Sequence, residues 1–306
     1  MAQPTANAIT SLTRCLRLPG FFPGGYVDQF LRKLPFEEAG GYGRSVQVNR
    51  TTGLGSVAFF DPGDALSATQ GDTALTTFTF QRIAGTAQVD VADIEASAEP
   101  DDQLELQVEM RKVALLRTLS SVVINGGGVA PTMAGLVTYA TGGQMIDLAG
   151  AAPTLAAYHR LVALVRASDG FLGSGADALV MSLNARRQLL SILEAASGSS
   201  YCFELDEQLG TSVLHFEGVP VYVSDGALPN ASPTAIYAVK LHGPTGIRVL
   251  HVGGSSDEYG IVVDEVPNQM GVSERAAIVR GYYALMVPEP ESVAALFGAS
   301  VAAFVP

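Results

Sequence analysis

The chain has 306 residues, 48% of them hydrophobic and only 16% charged, which is enough for a sizeable core in one large or two ordinary domains. No stretch reaches the roughly 18 uninterrupted apolar residues of a membrane-crossing helix, and two distant cysteines, Cys15 and Cys202, match neither a disulfide framework nor a zinc spacing. The net charge of −12 argues against a general nucleic-acid binder, since an acidic body repels phosphates.

The charge is uneven. In residues 1–50, Arg14, Arg17, Arg32, Lys33, Arg44 and Arg50 stand against Asp28, Glu37 and Glu38, a surplus of +3 that leaves −15 for the remainder. The opening MAQPTANAITSLTRCLRL lacks a basic start followed by an apolar block, so no secretory signal is expected, and the cysteine usage fits reduced thiols in a cytoplasm. Pro19, Pro23, Gly24 and Gly25 break the stretch before Tyr26–Leu34, where a short amphipathic helix is predicted. Residues 1–40 read as an extended arm with one helix and no core of its own.

Residues 41–97 read as a long two-stranded excursion. Arg44–Arg50 and Thr73–Ile83 alternate as strands do, and Ala87–Ile94 adds a further alternating stretch. The connection Thr51–Asp72 is too long for an ordinary hairpin. It is either a surface insertion or a projection ordered by a neighbouring subunit. Phe59 and Phe60 sit in it without a local core and are the candidate inter-subunit contacts.

Glu99–Asn125 is the longest periodic stretch. Pro100 suits a first helical turn, and Asp101, Asp102, Glu105 and Glu109 precede Arg111, Lys112 and Arg117, an order that complements the helix dipole. Leu104, Val108, Leu115, Leu119 and Val122 form one apolar stripe, and Asn125 with Gly126 is expected to end the helix in a left-handed conformation. About 25 residues at ~1.5 Å make a rod of roughly 38 Å, a spine to lay across a sheet.

Gly126–Gly128 is a turn out of that helix. No G-x-x-x-x-G-K is present, because none of Lys33, Lys112 and Lys240 follows a glycine. Residues 153–262 read as an α/β unit: a helix over Leu155–Arg166 capped by Thr154, a buried strand Ala178–Met181, a helix Asn184–Ala195 capped by Ser182, and strands at Val219–Val223, Ala235–Leu241 and Gly246–Val252. Ala276–Val287 is a long strand, and Pro288–Phe297 a short capped segment.

Chemistry-bearing motifs are lacking. His159, His215, His242 and His251 show neither H-E-x-x-H nor another ligand spacing, and no G-x-S-x-G elbow occurs. Asp101–Asp102 reads as a helix N-terminus and Asp264–Glu265 as a turn, not as acid/base dyads. No catalytic, cofactor-binding or metal residue is therefore predicted, and the chain reads as a non-enzyme.

The order of elements resembles the major capsid protein of tailed phages, an α+β protein of the Hong Kong 97-type fold. ALVMSLNARRQ (178–188) resembles the strand-to-helix step of that family's axial domain. FEGVPVYVSD (216–225) resembles its G-x-P-V-x-x-S-D strand, and RGYYALMVPEPESVAALF (280–297) its final peripheral-domain strand and the residues after it. The resemblance implies an N-terminal arm over 1–41, an extended loop over 42–86, a peripheral domain over 87–130 and 263–306 with the spine helix, and an axial domain over 131–262. It implies self-assembly as pentamers and hexamers into an icosahedral head around double-stranded DNA held without sequence-specific contacts. Implied partners are a portal protein, a separate scaffolding protein and a cement or decoration protein. No cofactor and no membrane are implied; the place is the virion, with assembly in the host cytoplasm.

The chain departs from some members of the family. The predicted arm starts almost at Met1, so a separate scaffold, or none, is expected, and residues 42–86 carry no lysine for an isopeptide crosslink. Non-covalent reinforcement is therefore expected. An encapsulin-type nanocompartment shell around an enzyme cargo shares the fold; the long excursion and the lack of Trp speak against it. An α/β enzyme without a recognisable motif is the third reading.

Overall fold

The computed structural model describes residues 28–39, 43–53, 72–91, 100–165, 175–196, 201–206, 209–224, 227–229, 233–252, 259–266 and 274–301. In chain order these form α1 (Gln29–Lys33), β1 (Phe36–Glu38), β2 (Ser45–Gly53), β3 (Asp72–Thr79), β4 (Gln81–Asp90), α2 (Pro100–Asn125) and α3 (Leu136–Tyr139). There follow β5 (Met145–Asp147), α4 (Leu155–Leu164), β6 (Ala178–Met181), α5 (Leu183–Ala195), β7 (Tyr201–Asp206), β8 (Thr211–Phe216) and β9 (Val219–Val223). The last strands are β10 (Thr234–Val239), β11 (Arg248–His251), β12 (Val262–Val266), β13 (Glu274–Met286) and β14 (Val293–Ala299). The architecture is α+β, as expected from the sequence.

A seven-stranded sheet runs β5-β14-β10-β6-β9-β8-β7, and its central strands are buried on both faces. On one face Ala178, Val180, Tyr237, Val239, Val293 and Ala295 join a first core; on the other Leu179, Met181, Ile236, Ala238, Ala294 and Leu296 join a second. Strands buried on both sides must be apolar at every position, which is why ALVM and VAALF are unbroken runs. The second core is closed by α4 through Tyr158, Leu161 and Val162, and by α5 through Ala185, Leu189 and Leu193. Both helices start as the sequence indicates, with Thr154 Oγ1 accepting from Ala157 N (3.3 Å) and Ser182 Oγ from Ala185 N (3.4 Å).

The first core is closed from the other side by α1, the C-terminal half of α2 and a five-stranded sheet. In that sheet β11 and β12 pair with successive stretches of one edge of β13, β4 pairs with the other edge, and β1 pairs parallel to β11. Phe30 and Leu31 of α1 are almost fully buried, so the end of the expected arm is seated in the main core.

Several expectations are corrected. The strand foreseen at Thr73–Ile83 breaks at Phe80, whose N–H donates to Arg44 O (2.9 Å). β4 then runs unbroken from Gln81 to Asp90, across the expected boundary at 86/87 and into the stretch foreseen as the separate strand Ala87–Ile94, because pairing with β13 carries it over the interruption at Gly85. Pro288–Phe297, expected as one short capped segment, is a short 3-10 turn at Pro290–Ser292 leading into β14. β14 pairs with β10 and β5, so residues 293–299 lie in the seven-stranded sheet, while β11 lies in the five-stranded one; the sheets do not divide at 263. Asp264 and Glu265 are in β12 rather than a turn, and Asp264 forms an ion pair with Arg280 Nε at 2.7 Å.

The spine helix is present over Pro100–Asn125, but its buried stripe is concentrated in the second half: Leu115, Leu119, Val123 and Ile124 are buried, whereas Leu104, Val108 and Val122 are half-buried. Nor does Gly126 end it by a left-handed turn; Gly128 is the residue with φ +70°. Gly126 instead allows a close crossing. A Cβ there would lie 2.2 Å from Met133 O, and one on Gly135 would lie 2.5 Å from Gly126 N, both backbone atoms with no freedom to yield.

Candidate assembly surface

β2 and β3 pair only with each other, from Ser45↔Thr79 to Gly53↔Asp72, and make a ribbon outside both sheets. Its lower end is anchored by Phe78, which is buried. Further along, Leu75 is 58% exposed among threonines, an apolar side chain in open reach of solvent among the described residues. Between β4 and the C-terminal half of α2 a cavity of about 260 Å³ is lined by Ile83, Ala84, Val122, Pro131, Met133 and Tyr283, among others. Phe59 and Phe60, the predicted contacts, lie outside the described residues.

Two further exposed apolar places lie at the ends of the seven-stranded sheet. On edge strand β7, Phe203 is 50% and Leu205 70% exposed; on the opposite edge strand, β5, Met145 is 44% exposed. Sequence pattern had not marked β7 and β8 as strands, although YCFELD alternates apolar and polar residues in strand fashion.

The lysines are engaged within the chain. Lys33 Nζ lies 2.7 Å from Asp206 Oδ1 in a largely buried pair, and Lys112 Nζ lies 2.7 Å from Glu109 Oε1 one helical turn back. Asp206 also accepts from Leu209 N (3.2 Å). Burial first, and the Asp206 carboxylate second, push the Tyr222 phenol up to about 12. Three histidines face single carboxylates: His159 Nδ1 with Glu217 Oε1 (2.6 Å), His242 Nδ1 with Asp177 Oδ2 (3.3 Å) and His215 Nε2 with Glu204 Oε2 (3.7 Å). These are isolated pairs, and among the described residues no three His, Cys, Asp or Glu side chains come together as a metal site. Among the described residues, exposed apolar side chains occur along the ribbon and at the edges of the sheets.

No protein-family model and no curated protein matches this chain. Solved structures do, end to end. A chain of the holo-SrpI encapsulin complex from Synechococcus elongatus superposes with a TM-score of 0.73 at 16% identity, over 100% of this chain and 99% of that one. A chain from Mycobacterium phage Bobi gives 0.65 at 14% identity, over 97% and 99%, and one from the cyanophage A-1(L) capsid 0.61 at 15%, over 89% and 92%. The fold is that of capsid and encapsulin shells. Within this capsid fold the two-stranded ribbon, the long α2 and the seven-stranded sheet all belong to the matched length, since the superposition with the encapsulin chain covers the whole of this one.

Proposed function

We propose that this chain is a shell-forming subunit of the Hong Kong 97 type, the major capsid protein of a tailed phage. In this reading it builds pentamers and hexamers into an icosahedral head around double-stranded DNA, assembled in the host cytoplasm and residing in the virion. The observation that carries it is likeness, over 97% and 89% of this chain, to chains of phage and capsid particles in a protein with partly exposed apolar side chains such as Leu75 on its ribbon and Leu205 and Met145 on its sheet edges. The arm corresponds to residues 1–41, the extended loop to 42–86, the peripheral domain to 87–130 with 263–306 and the axial domain to 131–262, adjusted for the sheet membership of β14 and β11. An acidic wall lets packed DNA move past it. A portal, a separate scaffold and a cement protein are its proposed partners. Phe59 and Phe60 anchor the loop on a neighbouring subunit; Phe59→Ala with Phe60→Ala lowers the yield or heat resistance of particles, and unchanged yield and heat resistance refute that anchor.

A second reading is favoured by one observation, the TM-score of 0.73 with the encapsulin chain over 100% and 99% of the two lengths. It makes the same shell around a protein cargo. Expression of the full chain, negative-stain microscopy and analysis of the particle contents separate the two. Shells holding DNA, whose protein runs as one band near 31.9 kDa in SDS with reductant, support the capsid reading without covalent crosslinks. Shells holding a cargo enzyme select the second reading, and a sharp monomer peak with and without scaffold overturns both.

A further inference from the structure

The helix α2 carries a second apolar stripe that neither core uses. Val108, Leu115, Leu119 and Val122 pack one side of the rod against the first core, beside β4 and β13. Leu106, Met110 and Val113 recur at steps of four and three residues and, at about 100° per residue, lie on the opposite side of the rod. Met110 is 42% exposed and the other two are half-buried, and none of the three belongs to either core. One flank of this stripe carries Glu105, Glu109 and Lys112. Lys112 reaches back to Glu109 (2.7 Å), whereas no basic residue stands three or four positions from Glu105 along the helix.

We infer that two copies of α2 pack antiparallel across a twofold axis at Met110, with Leu106 of each against Val113 of the other and Glu105 of each beside Lys112 of the other. This contact rests on the shell reading, since an icosahedral shell has twofold axes at which the same surface of two copies meets. Three features select a second copy running in that direction. Leu106 and Val113 stand four and three residues either side of Met110, so the stripe is complementary to itself turned end for end, as an isologous contact requires. The charge order agrees: antiparallel packing brings the acidic flank of one helix to Lys112 of the other and opposes the two helix dipoles, whereas parallel packing sets Glu105 beside Glu105. The size agrees as well. Three side chains per copy fall far short of the ~800 Å² per partner of a stable isolated pair, so the contact suits copies that a shell already holds together. Methionine at the axis is apt, because its flexible thioether can pack against its own copy.

Two sets of full-length variants test it. In a chain carrying Cys15→Ser and Cys202→Ser, Met110→Cys in intact shells gives a dimer band on mild oxidation, because a residue on the axis meets its own copy. Glu105→Cys in the same chain gives none, since it stands roughly 13 Å from its own copy along an antiparallel pair. In the chain with its native cysteines, Glu105→Lys lowers particle yield about fivefold by facing Lys112 of the other copy, and adding Lys112→Glu restores it. Both positions lie on the helix surface, so the far-UV circular dichroism of the unassembled variants stays at the wild-type value. Intact shells with no dimer band from Met110→Cys, or with an equal band from Glu105→Cys, overturn this contact and leave the shell reading intact. A wild type that stays monomeric overturns both.

Discussion

Asp28 shows how much of this fold depends on single polar atoms. Its Oδ2 accepts from Ser120 Oγ of α2 (2.6 Å) and from Ser224 Oγ just after β9, and both serines are buried. Beside it Gln29 Oε1 accepts from Val223 N (3.2 Å). One carboxylate thereby fixes α1 between the spine helix and the seven-stranded sheet. Asp28→Ala leaves two buried hydroxyls without their acceptor, and the expected loss is about 2–4 kcal/mol, since bonds to charged groups exceed the ordinary net value and buried unpaired donors are costly. Chemical denaturation of the unassembled chain measures it; an unchanged midpoint would refute the clamp. None of this was legible in the sequence, where Asp28 is one acid in a basic arm and its partners lie 92 and 196 positions away.

At the scale of elements, those whose pattern is local were legible: α2, α4, α5, β6, β9 and β13 match the stretches expected from periodicity and capping. Elements that exist because of a distant partner were not. β1 is three residues long and depends on parallel pairing with β11, and β14 was hidden behind the prolines that precede it. The seven-stranded sheet also carries a testable pH response. Burial raises the phenol of Tyr158 on α4 and of Tyr237 on β10 well above the usual tyrosine range, and Tyr222 on β9 to about 12. Each phenol is held protonated in the fold beyond the ~10 at which it ionises when unfolded. The stabilisation is therefore constant below pH ~10 and is lost as pH rises from there up to the folded values, because the unfolded chain releases its protons first. Tyrosinate absorbance is expected to rise together with loss of circular dichroism between about pH 10 and 12. Phenols that titrate near their ordinary value while the folded signal persists would show that this burial is not maintained in solution.

On the scale of the whole molecule, the α+β class and the order of ribbon, spine helix and α/β unit could be read from the chain, whereas the allocation of strands to sheets could not. The reason is that β13, near the C-terminal end of the chain, is the shared partner of β4, β11 and β12, and β14 lies between β5 and β10 in the interior of its sheet. Sequence pattern reports which face of a strand is buried, not which strand lies beside it. The interior position of β14 has a further consequence, in time rather than in space. A ribosome must pass residue 299 before the seven-stranded sheet can close, and β4 waits nearly as long for β13, so folding of this chain is dominated by contacts between distant segments and is slow. On the shell reading proposed above, nascent or prematurely terminated chains lack the closed sheet and are kept out of a growing particle by their own incompleteness, with no separate inspection step.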